Sequence, residues 1–303
     1  GLGAAVRISG GRRQPDGGKD PDRLPFSMTG DLPSISIVTP VFNGAAYLEE
    51  LIESVRAQDY PRIEHIVIDD GSTDGGATAA VLKRHPHLRW WSRENRGQYA
   101  TMNEGLAAAS GEWICFVSAD DMVSPGACRC AAEFLRSRPD LDGVVGRVQC
   151  VDATGGHYSD PPFQTMPLRY YAYLHNVSHC SLYVNRSKLL NNDLFFDPVL
   201  RYVGDYEWLV RVVHLLQLER LDRCLASIRI HHAQTSRQQR RKMLAEQRGV
   251  VAARNINPAA FFLCRNAYIL LHNGRKLQSA IRTKGFRGGM QLFTRHFRRS
   301  GRV

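Results

Sequence analysis

The stretch EWICFVSADD, residues 112–121, runs from an apolar segment straight into two adjacent acids. Trp113 to Val117 are apolar without a polar alternate, the pattern of a strand covered on both faces. Asp120 and Asp121 follow at once, where a loop is expected. Neighbouring carboxylates repel each other. The pair therefore marks either an exposed turn or a place where a cation sits.

The flanking sequence repeats the arrangement. SISIVTPVFNG (34–44) is a strand carrying Ile35, Ile37 and Val38, ended by Pro40 and Gly44. AAYLEELIESVRAQ (45–58) follows, with Leu48, Leu51, Ile52 and Val55 at helical spacing. EHIVIDDGSTD (64–74) is a second strand running into acids and a turn. ATAAVLKRH (77–85) reads as a helix, LRWWSR (88–93) as a strand and GQYATMNEGLAAAS (97–110) as a helix. Strands alternating with helices predict an α/β fold, a mostly parallel central sheet flanked by helices. Ligands of such sheets bind beyond the carboxyl ends of the strands. Thr39, Asn43, Asp69, Asp70, Asp120 and Asp121 all fall there, so at least two acidic loops converge on one crevice. Asp120 suits a hard divalent ion that leaves room for substrate phosphates. Asp70 suits a ribose hydroxyl or a base N–H. Together they describe a nucleotide-diphosphate site without a Gly-rich phosphate loop. The Gly-rich start, GLGAAVRISGG (1–11), follows no strand and is no dinucleotide fingerprint.

Composition sets the outer limits. The chain has 303 residues, 43% hydrophobic and 23% charged, ordinary for a globular domain with an extension. No apolar run approaches the roughly 20 residues of a membrane span; AYILL (267–271) is far too short. The N-terminal segment lacks the apolar core of a signal peptide, and residues 1–32, rich in Gly, Asp and Arg, are expected to be disordered. Seven cysteines without a CxxC pair read as reduced thiols of a cytoplasmic protein. Residues 237–303 hold 16 of the 40 Lys and Arg but one acid, Glu246, so the net charge of +11 is carried by a basic tail. Its helical spacing leaves two readings open. The tail is either an interfacial segment meeting anionic lipid at the inner face of the membrane, or a set of helices packed on the domain with a solvated basic face. The chain lacks an RNA- or DNA-binding module, so nucleic acid is not expected as a partner.

The order and spacing of these segments carry a resemblance. SIVTPVFNGAAYLEELIESVRAQDYPRIEHIVIDDGSTD and then NRGQYATMNEGLAAASGEWICFVSADDMVSPGA resemble family 2 glycosyltransferases of the GT-A fold, over about residues 34–148. The match resumes at SHCSLYVNRSKL (178–189) and FFDPVLRYVGDYEWLVRVV (195–213) and ends near RIHHAQTS (229–236). The resemblance implies a transferase domain at 33–236, followed by the basic helical extension at 237–303.

It also implies roles. Thr39, Pro40 and Asn43 would line the base pocket and Asp70 would contact the nucleoside. Asn95, Arg96, Gly97 and Asn103 would serve the donor, and Asp121 loop or sugar contacts. Ser118 stands at the first position of the family's D-x-D, and Asp120 matches its metal-binding second Asp. His232 would sit with the metal and diphosphate, and His179 on the acceptor side. Asp205 matches the catalytic base, with Gly204 in place of its usual neighbour, and Trp208, Leu209 and Val212 behind it as core. The implied reaction moves a sugar from a nucleotide-diphosphate donor, a UDP-sugar, to a hydroxyl of a glycan or lipid-linked acceptor. It needs Mn2+ or Mg2+, and a single displacement inverts the configuration. Ser118 and Gly204 keep a rival reading open, a degenerate transferase that binds sugar nucleotide without turnover.

Overall fold

A computed structural model of the chain describes residues 32–159, 168, 177–234, 238–254, 256, 257, 261 and 263. The expectation of disorder for 1–32 therefore falls almost wholly outside the described residues, as do the helices expected beyond 263.

The first half alternates as the sequence predicts. Strand β1 (Ile35–Val41) leads to helix α1 (Leu48–Arg56), β2 (Ile63–Asp69), α2 (Ala77–Lys83), β3 (Arg89–Ser92), α3 (Gln98–Ala108) and β4 (Trp113–Phe116). These four strands lie parallel in the order β3-β2-β1-β4. The second half adds β5 (Met122–Val123), α4 (Ala127–Ser137), β6 (Gly143–Asp152), β7 (His157–Ser159), β8 (Leu182–Asn185), α5 (Arg186–Asn191), α6 (Gly204–Leu215) and β9 (Leu218–Ile230). β8 pairs antiparallel to β4, and β6 runs antiparallel to β8 but parallel to β9, so the sheet is mixed beyond its parallel half. Helix α7 (Arg240–Ala253) opens the extension.

Both faces of the parallel half are covered, which explains the unbroken apolar strands. Ile35, Ile37, Val67 and Cys115 pack with α1, α2 and α4 on one face. Val38, Ile66, Ile68, Ile114 and Phe116 pack with α3, α5 and α6 on the other. Trp208, Leu209 and Val212 of α6 are buried there, as expected. Cys115, Cys128, Cys130, Cys180 and Cys224 are free thiols. No helix among the described residues is long and apolar enough to cross a membrane.

Pro40 does not end β1; the strand continues to Val41, paired with β2. Val38 O accepts the last bond from the β4 side, from Val117 N at 2.9 Å. Pro40 points the same way two residues on, where β4 has ended, so its missing N–H breaks no ladder.

Helix α3 lies close on β1 through Gly105. A Cβ there would come within 2.2 Å of Val38 Cγ1. In α7, a Cβ at Gly249 would meet nothing within 4 Å. The same substitution should therefore have opposite signs at the two sites. Gly249→Ala should stabilise by up to about 1 kcal/mol through helix propensity. Gly105→Ala should lose more to overpacking than it gains, about 1 kcal/mol net. Urea unfolding midpoints of the two variants check this.

Candidate active site

The cleft opens where β1, β2 and β4 end, between strands that lead away from β1 in opposite directions. It encloses about 860 Å3.

On its first wall, Asn43 adopts a left-handed backbone (φ 52°). Its side-chain oxygen accepts from Thr73 N at 2.7 Å, and its own N–H donates to Ser72 Oγ at 2.8 Å. The loops after β1 and β2 are thus tied together. Pro40 and Asn43 line the cleft. Thr39 does not: it is fully buried, with Oγ1 3.2 Å from His65 Nε2. Thr39 stands inside the strand end, turned onto His65 of β2, and so contributes nothing to the lining.

Asp70 borders the cleft but is only 3% exposed. It accepts from the backbone N–H of Arg96 at 2.8 Å and of Gly97 at 2.9 Å, and pairs with the Arg93 guanidinium. It therefore shapes the 93–97 loop that brings Asn95 and Gly97 to the cleft. Arg96, expected on the donor, adds its backbone to this loop while its side chain is exposed away from the lining. Asn103, expected there too, is turned elsewhere. Its amide donates to Phe196 O and accepts from Phe196 N, both at 2.8 Å, clamping the 194–197 loop onto α3.

The two acids after β4 part company. Asp121 is buried, accepting from Arg229 N at 3.0 Å and from the Cys180 thiol at 3.0 Å. Burial, then the charges of Cys180 and Asp120, push its pKa well above the carboxylate range. Expected among sugar contacts, Asp121 instead spends both oxygens on the protein. Asp120 turns outward, and its Oδ2 lies 3.0 Å from His231 Nε2. The histidine facing Asp120 is thus His231 and not His232, which is exposed outside the lining. The Arg229 guanidinium is fully buried between Glu50 (2.5 Å), the carbonyls of Asp120 (3.2 Å) and Ala153 (3.1 Å), and the ring of Tyr47 (4.6 Å).

Asp205 sits in the first turn of α6. Tyr99 Oη donates to its Oδ1 at 3.2 Å, and His179 Nδ1 lies 3.7 Å from its Oδ2. The other ring nitrogen of His179 meets Ser118 Oγ at 3.3 Å. Burial opposes charge on His179, but Cys180 and Asp205 beside it hold its pKa well above the usual value. Gly204 is explained by Tyr99. A Cβ at 204 would come within 2.6 Å of the Tyr99 ring, so the side chain the family usually carries cannot stand there. Trp208 stacks on Phe196 (4.4 Å between centroids) and donates to Leu194 O at 2.7 Å, fixing α6 behind the site.

Residues 36–191 match the profile of Glycosyl transferase family 2, more than half of the chain. The chain belongs to glycosyltransferase family 2. An uncharacterized glycosyltransferase of Rickettsia felis is 28% identical over 214 residues, 68% of this chain and 35% of that protein. One from Rickettsia typhi is 30% identical over 212 residues, 67% of this chain and 66% of its own length. The family 2 chain thus spans about a third of the first of these relatives and two thirds of the second. The structure of S. aureus TarS 1-349 in complex with UDP-GlcNAc superposes with a TM-score of 0.58 at 18% identity, covering 88% of this chain and 92% of that one. The shared fold is the GT-A fold.

Among the described residues, Glu49, Glu53 and His85 also bring three ligand-type atoms within 4.8 Å of one another. This candidate cation cluster lines no part of the cleft. Arg84 and Arg56 already pair with its carboxylates.

His231, Tyr99 and Arg229 are the site's neighbours that the sequence reading missed. Alternation gives the first: buried Ser227 and Arg229 of β9 lead to buried His231 one residue past the strand, and His232 opens the exposed turn beyond. Thr39's partner gives a test of its own. Burial pushes His65 down to about 3, so it stays neutral in the folded chain while an unfolded histidine protonates near 6.5. The unfolded state then binds the extra proton, and stability present above pH 6.5 is lost as pH falls toward 3. Urea unfolding from pH 7 to pH 4 should show a shallower loss in His65→Gln, by up to about 1.4 kcal/mol per pH unit.

Proposed function

We propose that this chain is an inverting glycosyltransferase that uses Asp205 as general base and Asp120 with His231 as ligands of a divalent ion. One observation supports it most: Asp120–His231 and Asp205 line the same cleft, beside the Asp70 loop at the strand ends. The donor set fits an ion. Asp120 Oδ2 and His231 Nε2 stand 3.0 Å apart, the spacing of adjacent ligand atoms each about 2.1 Å from an octahedral metal. His231 Nδ1 is buried without a hydrogen-bond partner among the described residues. An imidazole in the set favours Mn2+ over Mg2+. When bound, the ion neutralises charge developing on the leaving diphosphate.

The residues themselves supply the rest. The 93–97 loop held by Asp70 and the Asn43 turn take the nucleoside side of the donor, and the TarS complex supports a UDP-sugar. Asp205 takes the proton of an acceptor hydroxyl as it attacks the anomeric carbon. Tyr99 donates to Oδ1, and Oδ2 faces the His179 side. His179 then stands beside the acceptor. One displacement inverts the configuration, so no enzyme nucleophile is required. The acceptor is a glycan or lipid-linked hydroxyl.

Two comparisons test the reading. Asp205→Asn should keep donor affinity in calorimetry and lose transfer by about 10²–10⁴. Retained transfer would remove Asp205 as the base, and donor binding without any transfer by the wild type would identify a sugar-nucleotide-binding protein. For the metal, Asp120→Asn and His231→Ala should each weaken Mn2+-dependent donor binding, and His232→Ala should not. The reverse order of the two histidines would restore the sequence expectation.

A further inference from the structure

The single acid of the basic extension, Glu246 in α7, meets the chain that leads into α6. Its Oε1 accepts from Arg201 N at 2.8 Å, and its Oε2 from Tyr202 N at 2.6 Å and Val203 N at 2.9 Å. Val203 is the N-cap of α6 and offers no side-chain cap of its own. One carboxylate from another helix therefore gathers three successive backbone donors at the positive end of the α6 dipole. Asp205 follows two residues later. A second tether holds the other end of α7: Arg254 pairs with buried Glu207 of α6, which Arg211 also holds at 2.9 Å. Val250 and Val251 pack on Val203, Tyr206 and Val210 between the two tethers. Met243, one turn before Glu246, reaches the cleft lining beside Arg201 and Tyr202.

We infer that α7 is a working part of the site, with Glu246 as a positioning residue that sets the 201–203 loop and, through it, the base. The inference rests on the reading of Asp205 as base. It assigns the start of the basic extension to catalysis by the domain it follows, whatever surface the remaining tail meets. Both oxygens of Glu246 are used on the three amides, and a base displaced by about an ångström loses rate far more than affinity.

The test compares full-length Glu246→Ala and Glu246→Gln with the wild type. Glu246→Ala should raise hydrogen exchange at the amides of Arg201, Tyr202 and Val203 by at least about tenfold. It should lower kcat by about 10- to 100-fold while donor Kd stays within about threefold. Glu246→Gln keeps one accepting oxygen and should fall between the two. It also carries the test should the alanine variant fail to fold. Unchanged exchange and kcat would overturn the inference, as would donor affinity lost in step with rate, which a general collapse of the cleft would produce. Asp205→Asn is measured alongside. If that variant keeps its transfer rate, the base assignment is wrong, while exchange at the three amides still decides whether Glu246 holds the loop.

Discussion

A guanidinium with no exposure to water must find all its partners inside the protein, and Arg229 draws the cleft together in finding them. Glu50 comes from α1, Tyr47 from the turn before it, the Asp120 carbonyl from the turn after β4, and the Ala153 carbonyl from the β6–β7 hairpin. Loss of the cation would leave Glu50 and two carbonyls facing each other across a void. The backbone N–H of the same residue fixes Asp121 inward, and this disposes of the repulsion between neighbouring acids. Asp121 is buried with its pKa raised, and Asp120 is left to face the cleft.

The other wall is held by packing more than by charge. Phe196 lies between Tyr99 and Trp208, with Phe116 of β4 against its edge. Asn103 locks the backbone of Phe196, and Trp208 locks that of Leu194. The aromatic cluster thus sets the height of α6 over the sheet, and Tyr99 transmits that position to Asp205 through its hydroxyl. Packed neighbours thus hold Asp205 in place, as its proposed role as base would require.

The sequence made the framework legible because strand and helix periods, and acids at strand ends, are local signals. Leu48, Leu51, Ile52 and Val55 mark the buried face of α1, and Asp70 and Asp120 reach the cleft as expected. Asn103 shows where local reading stops: an amide on the helix after the 93–97 loop looks like a ligand contact, yet it serves a loop 93 residues away in sequence. His231 and His232 are adjacent just past β9, and the turn that begins at His232 separates them. Thr39 and Pro40 are adjacent too, and only the burial of Thr39 against His65 keeps it from the cleft. Glu246 stands out in the sequence as the lone acid of a basic tail, but its partners are backbone amides, which leave no mark in a sequence.

The contact between Gly204 and Tyr99 makes these positions a pair. A ring at 99 and a side chain at 204 exclude each other, because both would occupy the space above the first turn of α6. The side chain missing at 204 is matched by volume on the facing helix, where it ends in a hydroxyl that touches Asp205, the proposed base. In relatives, the two positions are then expected to covary, small with large. A family fingerprint that scores position 204 alone would discard chains in which a ring at 99 fills the same space.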